Sequence, residues 1–405
     1  MTTELQSLQD QEAQLLCTTY NRYPIAVESA RGSRLYTPEG KSYVDLLAGI
    51  SVCNLGHCPP ELTEVMQHQA ERLVHISNLF YQRAQLELAE KLLATCSLDR
   101  VFFANSGAEA NEAAIKLARR YMQIVCSREA YEVITLHGSF HGRTLATLTA
   151  TGQEGIKKGF APLPQGFLSI PPNDLEALEK AISHTTAGVL LEIVQGEGGV
   201  QPLSTDYLQG VQAICRRHGV LFMVDEVQTG MGRTGRMWGY QHAELTPDVI
   251  TCAKALANGL PMGAMLCTKE TARAFDAGAH ATTFGGGALV AAVAAKVVDI
   301  LEQKRLVERS AEEGARLKNA LHELQAAYPQ HIREVRGLGL MLGIELFAEG
   351  KTIWEALLDR GYVCNLTQGT TLRLLPPLTT DRADLDGFVQ TLENILAAQP
   401  QTEAY

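Results

Sequence analysis

The chain is 405 residues long, more than one small core needs, and this predicts two units or one large unit with an appendage. A formal charge of -10 without any cluster of Lys and Arg argues against a nucleic-acid or anionic-membrane surface. Nine cysteines, an odd number with no C-x-x-C pair, argue against a disulfide framework and fit the reduced thiols of a cytoplasmic protein.

The opening "MTTELQSLQDQEAQLLC" is polar and acidic, and without an apolar core it predicts no secretory signal. "GSRLYTPEGKSYVDLLAGI" reads as a hairpin of alternating pattern that packs on the C-terminal part of the chain. In "GHCPP" His57 stands beside Cys58, with Cys53 nearby, but no second cluster lies at zinc spacing, so no metal site is expected. From about residue 85 to 270, helical patterns alternate with β-rich runs at 100–106, 132–138, 188–194, 220–227, 248–254 and 263–268. "AEANEAAIKLARRYMQ" and "TDYLQGVQAICRRHG" are the clearest helices between them. Such alternation predicts an α/β fold with a mostly parallel, helix-covered sheet. A single long helix is expected from about 285 to 327; its apolar run is interrupted by Lys296 and Asp299 before it could span a bilayer. "IREVRGLGLMLGIEL", "YVCNL" and "TLRLLPPL" then read as short strands of a second unit, closed by the helix "RADLDGFVQTLENILAAQ". The glycines of "GLGLMLG" are read as tight strand packing.

In parallel sheets, functional groups collect where strands end and helices begin. Four polar strand ends are candidates for one crevice: Asn105-Ser106-Gly107, His137-Gly138, Asp225-Glu226 and Lys254. Asp225 closes an apolar run, so a positive partner is expected beside it, either an Arg or a protonated ring nitrogen. Lys254, 29 residues later at the next strand end, is placed for a lowered amine pKa and a Schiff base, unless it only snorkels at the strand's edge. Ser106-Gly107-Ala108 opens a strongly amphipathic helix, where free N–H groups make a phosphate seat; a Ser106–Glu109 capping box is compatible with that use. A phosphate seat, a carboxylate for a ring nitrogen and a Schiff-base lysine are together what pyridoxal phosphate requires.

"NSGAEANEAAIKLAR", "SFHGRT", "EIVQGEGG", "DEVQTGMGRTG", "AKALANGLPMGA" and "TTFGG" resemble, in order, the motifs of class III pyridoxal-phosphate aminotransferases, from "GISVCNLGH" to "RLLPPL". That resemblance implies fold type I, with an N-terminal segment (1–62) packing with the small domain. It also implies a large cofactor-binding domain (63–290) and a small α+β domain (291–405) completed by both chain ends. It implies a homodimer with shared active sites, and pyridoxal 5'-phosphate as cofactor. Lys254 would carry the cofactor and shuttle a proton, and Asp225 would hold the ring nitrogen protonated. Ser106, Gly107 and Ala108 would bind the phosphate, helped by Thr283 from the second subunit. Phe140 would stack on the ring and Gln228 would bond its phenolic oxygen. Arg143 would clamp a substrate carboxylate, and Glu197 would alternately cover and expose Arg373 for the α-carboxylate of 2-oxoglutarate. The implied reaction moves the δ-amino group of N2-acetylornithine to 2-oxoglutarate, a step of arginine biosynthesis. Ornithine, succinylornithine, succinyldiaminopimelate and 4-aminobutyrate are the alternative donors. Gly287-Ala288, Phe284, Pro59 and Cys53-Asn54 depart from the family pattern and bear on the shape of the cleft.

Gly230, Gly232 and Gly235 also stand in G-x-G-x-x-G spacing, which by itself suggests a dinucleotide turn. That reading requires a helix straight after Gly235 and an acid closing the following strand. "RMWGYQHAELTPD" has no clear helical period, and the following strand ends in Lys254.

Overall fold

The computed structural model describes residues 4–399; the outermost positions of the expected first and last units, 1–3 and 400–405, lie outside them. Seven strands form the main sheet, in the order Arg100–Ala104, Gly263–Cys267, Val249–Cys252, Leu221–Asp225, Thr186–Glu192, Glu132–Leu136 and Phe167–Ile170. Only Gly263–Cys267 runs against its neighbours. The two central strands, Thr186–Glu192 and Leu221–Asp225, are buried at every position, as a helix-covered parallel sheet requires.

The period of two divides their side chains between two cores. Leu190, Leu221, Met223 and Val249 pack on one face against Ala114, Ile115 and Leu117 of the helix Gly107–Arg120. Val189, Leu191, Phe222, Val224 and Ile250 pack on the other against Leu208 and Val211 of the helix Thr205–His218. Phe167–Ile170 escaped the sequence reading because it is a four-residue edge strand, only its last residue buried.

The expected strands also ran one or two residues too far at their C-terminal ends. Residues 105–106, 227 and 253–254 have left the ladder and turned toward a common cavity. Polar strand ends break alternation because they serve the cavity and not the sheet.

The helix expected from 285 to 327 is two helices, Ala288–Gln303 and Leu306–Ala327, separated at Arg305, whose φ is +50°. No Gly or Pro marks that break. Beyond it, Ile332–Leu338, Met341–Leu346, Thr371–Leu374 and Asn365–Thr367 form an antiparallel sheet. The N-terminal strands Ser29–Arg31, Arg34–Tyr36 and Ser42–Asp45 form a second small sheet, which Tyr362–Val363 completes in parallel. The two chain ends thus share backbone hydrogen bonds.

Candidate active site

A cavity of about 420 Å³ opens at the C-terminal ends of the central strands, the place where parallel sheets gather their chemistry. Its wall begins at Ser106, the N-cap of Gly107–Arg120. The Ser106 hydroxyl accepts from the Glu109 N–H at 3.2 Å. Glu109 reaches back to the Asn105 N–H at 2.5 Å and to its side-chain amide at 2.8 Å, so the box closes one residue earlier than expected. The first N–H groups of the helix, at Gly107 and Ala108, have no acceptor within it and face the cavity. A Cβ at Gly107 would lie 2.8 Å from a Val227 methyl, so only glycine lets the helix start press against the chain leaving Asp225.

Asp225 is buried, and within the chain His141 stands beside it, with Nδ1 2.8 Å from Oδ2. Asn111 donates to the same oxygen at 2.7 Å and accepts from the Thr251 hydroxyl at 2.7 Å; the Val227 N–H bonds Oδ1 at 3.0 Å. Burial works against a charged His141 ring, but the hydrogen bond and charge of Asp225 outweigh it and the pKa is raised. Asp225 thus favours the charged form of the His141 ring. Glu192, the register partner of Asp225 on the next strand, stands beside it and accepts the Phe140 N–H at 3.0 Å. Burial pushes its carboxyl up to about 8; the charge of His141 opposes the rise and that of Asp225 adds to it.

Lys254 follows the strand Val249–Cys252 with φ at +46°, a strained value for a residue with a side chain. Its amine makes no hydrogen bond and no ion pair with any described residue. Burial is the main force lowering its pKa, with Arg373 acting the same way and Glu197, Asp225 and Glu192 pulling against it. An unpaired, desolvated amine beside a carbonyl-sized space is what covalent capture of an aldehyde needs. Arg143 is exposed at the mouth, its guanidinium 5.5 Å from the Phe140 ring centre and without an acid partner among the described residues. Arg373 is 1% exposed, and Glu197 covers it at 2.6 Å. The Arg373 charge and hydrogen bond outweigh burial and lower the Glu197 pKa. Gln228, at the cavity wall, accepts weakly from Arg373 at 3.4 Å.

Ser106, Gly107, Ala108, Phe140, Arg143, Asp225, Gln228 and Lys254 are therefore brought together, and Glu197 and Arg373 meet beside them. Thr283 is exposed and does not line the cavity of its own chain, although its neighbour Thr282 accepts from Asn105 at 3.1 Å. Two expected strand-end groups face elsewhere. His137 is exposed, and Glu226 is consumed by Thr229 and by the N–H groups of Gly239 and Tyr240. Three residues were missed: His141, Asn111 and Glu192. The signal for Glu192 was the one used for Asp225, an acid closing an apolar run.

The donor set fits pyridoxal phosphate: a helix start for phosphate, a buried carboxylate for the ring nitrogen, an aromatic wall and a free amine. A fold and site of this kind define an enzyme that moves amino groups on that cofactor. The chain belongs to the class-III aminotransferases, whose family model matches residues 17–396. Acetylornithine aminotransferase of Methanocaldococcus jannaschii is 44% identical over 376 residues, covering 93% of this chain and 94% of its own. That of Myxococcus xanthus is 44% identical over 372 residues, 92% of this chain and 93% of its own. Among solved structures, ornithine aminotransferase from Toxoplasma gondii superposes with a TM-score of 0.92 at 29% identity, covering 98% of this chain and 99% of its own. Acetylornithine aminotransferase from Elizabethkingia anophelis gives 0.87 at 30% identity, with 98% and 100% covered.

Proposed function

We propose that this enzyme takes the δ-amino group of N2-acetylornithine and passes it to 2-oxoglutarate, yielding N-acetylglutamate 5-semialdehyde and glutamate. The observation that carries the reading is the inequality of two arginines: Arg143 stands free at the cavity mouth while Arg373 is buried under Glu197. N2-acetylornithine has one carboxylate, which the free Arg143 takes as a planar, charge-assisted pair. Its δ-end carries no second acid, so Glu197 stays on Arg373. The second substrate is a dicarboxylate, and its α-carboxylate displaces Glu197 and pairs with Arg373. Relatives that act on acetylornithine, at 42–44% identity, support the same donor.

The remaining roles follow. Pyridoxal phosphate supplies an aldehyde and an electron-withdrawing ring. Ser106, Gly107 and Ala108 bind its phosphate, and Asp225, oriented by Asn111 and His141, keeps a proton on the ring nitrogen. Phe140 and Gln228 fix the ring. The Nζ of Lys254 would hold the cofactor's aldehyde carbon, and as a free amine it would take the proton from the δ-carbon of the donor. We also read the chain as three stretches, 1–62, 63–290 and 291–405, on the basis of the separate sheets. A homodimer is supported by exposed Leu79, Phe80, Tyr81 and Phe284, an apolar surface next to the loop that carries Thr283. That loop would bring Thr283 to the second subunit's phosphate. Nine free thiols support a cytoplasmic setting, and no helix among the described residues is long and apolar enough to cross a membrane.

Comparing kcat/KM for acetylornithine, succinylornithine, ornithine and 4-aminobutyrate tests the donor. Acetylornithine is expected to exceed ornithine by about tenfold or more, because a free α-ammonium would stand beside the like charge of Arg143 without an acid partner. A preference for an unacylated donor would overturn the reading.

A further inference from the structure

The exchange at Arg373 raises a physical question: what holds a buried guanidinium in place, still charged, once Glu197 leaves it. Arg373 and Asn365 are register partners on neighbouring antiparallel strands. The Asn365 side-chain oxygen accepts from Nη2 of Arg373 at 2.7 Å, on the side away from Glu197, which takes Nη1. Of the two partners in the pair, Arg373 is 1% exposed and Glu197 is 29% exposed, so Glu197 is the member free to move.

The orientation of Asn365 is itself fixed. Its amide nitrogen donates to the Tyr23 hydroxyl at 3.3 Å, and that hydroxyl donates to the Cys364 carbonyl at 3.0 Å. A hydroxyl has one hydrogen, so with that hydrogen committed to Cys364 it meets Asn365 only as an acceptor. The amide therefore turns its nitrogen to Tyr23 and its oxygen to Arg373. Trp354 anchors the assembly: its indole N–H bonds the same Cys364 carbonyl at 3.0 Å, and its ring meets Tyr23 edge-on at 5.0 Å. Without Glu197, the polar side chains left on Arg373 are two neutral amides, Asn365 and Gln228.

We propose that Asn365, oriented by Tyr23, is a positioning and specificity-determining residue. It keeps Arg373 aimed and uncompensated in charge when Glu197 moves aside, and so sets how tightly the α-carboxylate of the keto-acid substrate is held. This rests on the exchange of Glu197 and Arg373 proposed above. An acidic residue at 365 would keep Arg373 permanently paired and leave nothing for the substrate to neutralise. An apolar one would leave Nη2 without an acceptor and the guanidinium free to tilt.

The holoenzyme is compared with Asn365→Asp, Tyr23→Phe and Arg373→Leu in two measurements. One is calorimetric binding of glutarate, a dicarboxylate that cannot react. The other is rapid-mixing rates of the donor and acceptor half-reactions. Asn365→Asp is expected to weaken glutarate binding and raise KM for 2-oxoglutarate by about tenfold or more, with a much smaller change in the donor half-reaction. Tyr23→Phe, which keeps the ring contact, is expected to act in the same direction by about threefold. Unchanged glutarate binding in Asn365→Asp, or an equal fall of both half-reactions, would overturn the proposal. Arg373→Leu separates the two levels. If it binds glutarate as the wild type does, the exchange reading fails; if it loses binding while Asn365→Asp does not, only the role of Asn365 fails.

Discussion

Replacing Glu192 by Gln probes the charge balance of the cavity floor independently of turnover. Burial, foremost, raises this carboxyl from the ordinary 4.5 to about 8; His141 opposes and Asp225 reinforces the rise. In the unfolded chain the proton leaves near 4.5, whereas the folded protein keeps it to about 8. Between these values the folded state binds more protons, so stability falls as pH rises. The contribution is complete below about 4.5 and gone above about 8, and the whole swing corresponds to roughly 5 kcal/mol. Glutamine keeps an oxygen for the Phe140 N–H but cannot ionise, so the variant escapes this loss. Calorimetric melts of both proteins between about pH 5 and 8.5 are therefore expected to diverge. They should nearly coincide at the acid end, with the variant melting on the order of 5 °C higher at the alkaline end. His141, also raised, loses its contribution in the same direction, and since the Glu192 charge adds to that rise the substitution lessens this loss as well. Two curves that stay parallel across the range would refute the assignment of a neutral Glu192.

Two further substitutions test the site. Glu197→Gln removes the carboxylate from a buried guanidinium, and the discrimination between acetylornithine and glutamate as donors, measured by kcat/KM, is expected to fall by roughly tenfold to a hundredfold. Gly107→Ala places a Cβ 2.8 Å from Val227 and is expected to cost about 1–2 kcal/mol of cofactor binding, read as faster loss of the cofactor's absorbance on dialysis.

Much of this site is legible in the sequence because its groups sit where a periodic pattern breaks. Asp225 and Lys254 interrupt apolar runs, and Ser106 precedes a helical stripe; each is visible without any partner being known. What the sequence hides is pairing across distance. His141 is 84 positions from Asp225, and only the fold brings the ring to the carboxylate. Asn111 lies on the buried stripe of Gly107–Arg120 among alanines, where a single polar residue reads as a tolerated exception until Thr251 and Asp225 are seen on either side of it. The break at Arg305 has no local signature, since nothing in "EQKRLV" forbids a continuous helix.

The same distinction explains the glycines of "GMGRTG". Around the cavity, Ala48, Ile50, Ser51, Met231, Lys254 and Asn258 all have φ between +46° and +64°, a conformation that costs a residue with a side chain about 1 kcal/mol or more. Such strain persists only where surrounding contacts leave no alternative. For Ser51, directly, and Met231, through Asn54, those contacts lead to Arg233, which is fully buried. Its guanidinium donates to the Ser51 hydroxyl at 3.0 Å and to the carbonyls of Leu340 and Pro376 at 3.0 and 2.6 Å. It also reaches the Asn54 side-chain oxygen at 2.5 Å. Ser51 in turn donates to the Gln228 carbonyl at 3.2 Å, Asn54 to the Met231 carbonyl at 3.1 Å, and Asn258 to the Gly56 carbonyl at 3.0 Å. One side chain thus ties the N-terminal segment, the turn after Asp225 and the C-terminal strands to one another. No carboxylate touches Arg233, and burial lowers its pKa to about 9, with the Asp45 charge opposing. Enclosing a cation in this way needs the backbone itself to close around it. Gly232 and Gly235 supply the turns at φ +83° and +87°, and a Cβ at Gly235 would strike Ala311 at 2.8 Å. The G-x-G-x-x-G spacing that resembles a phosphate turn is therefore the sleeve of a buried arginine, and the helix start proposed as the phosphate seat is elsewhere, at Ser106.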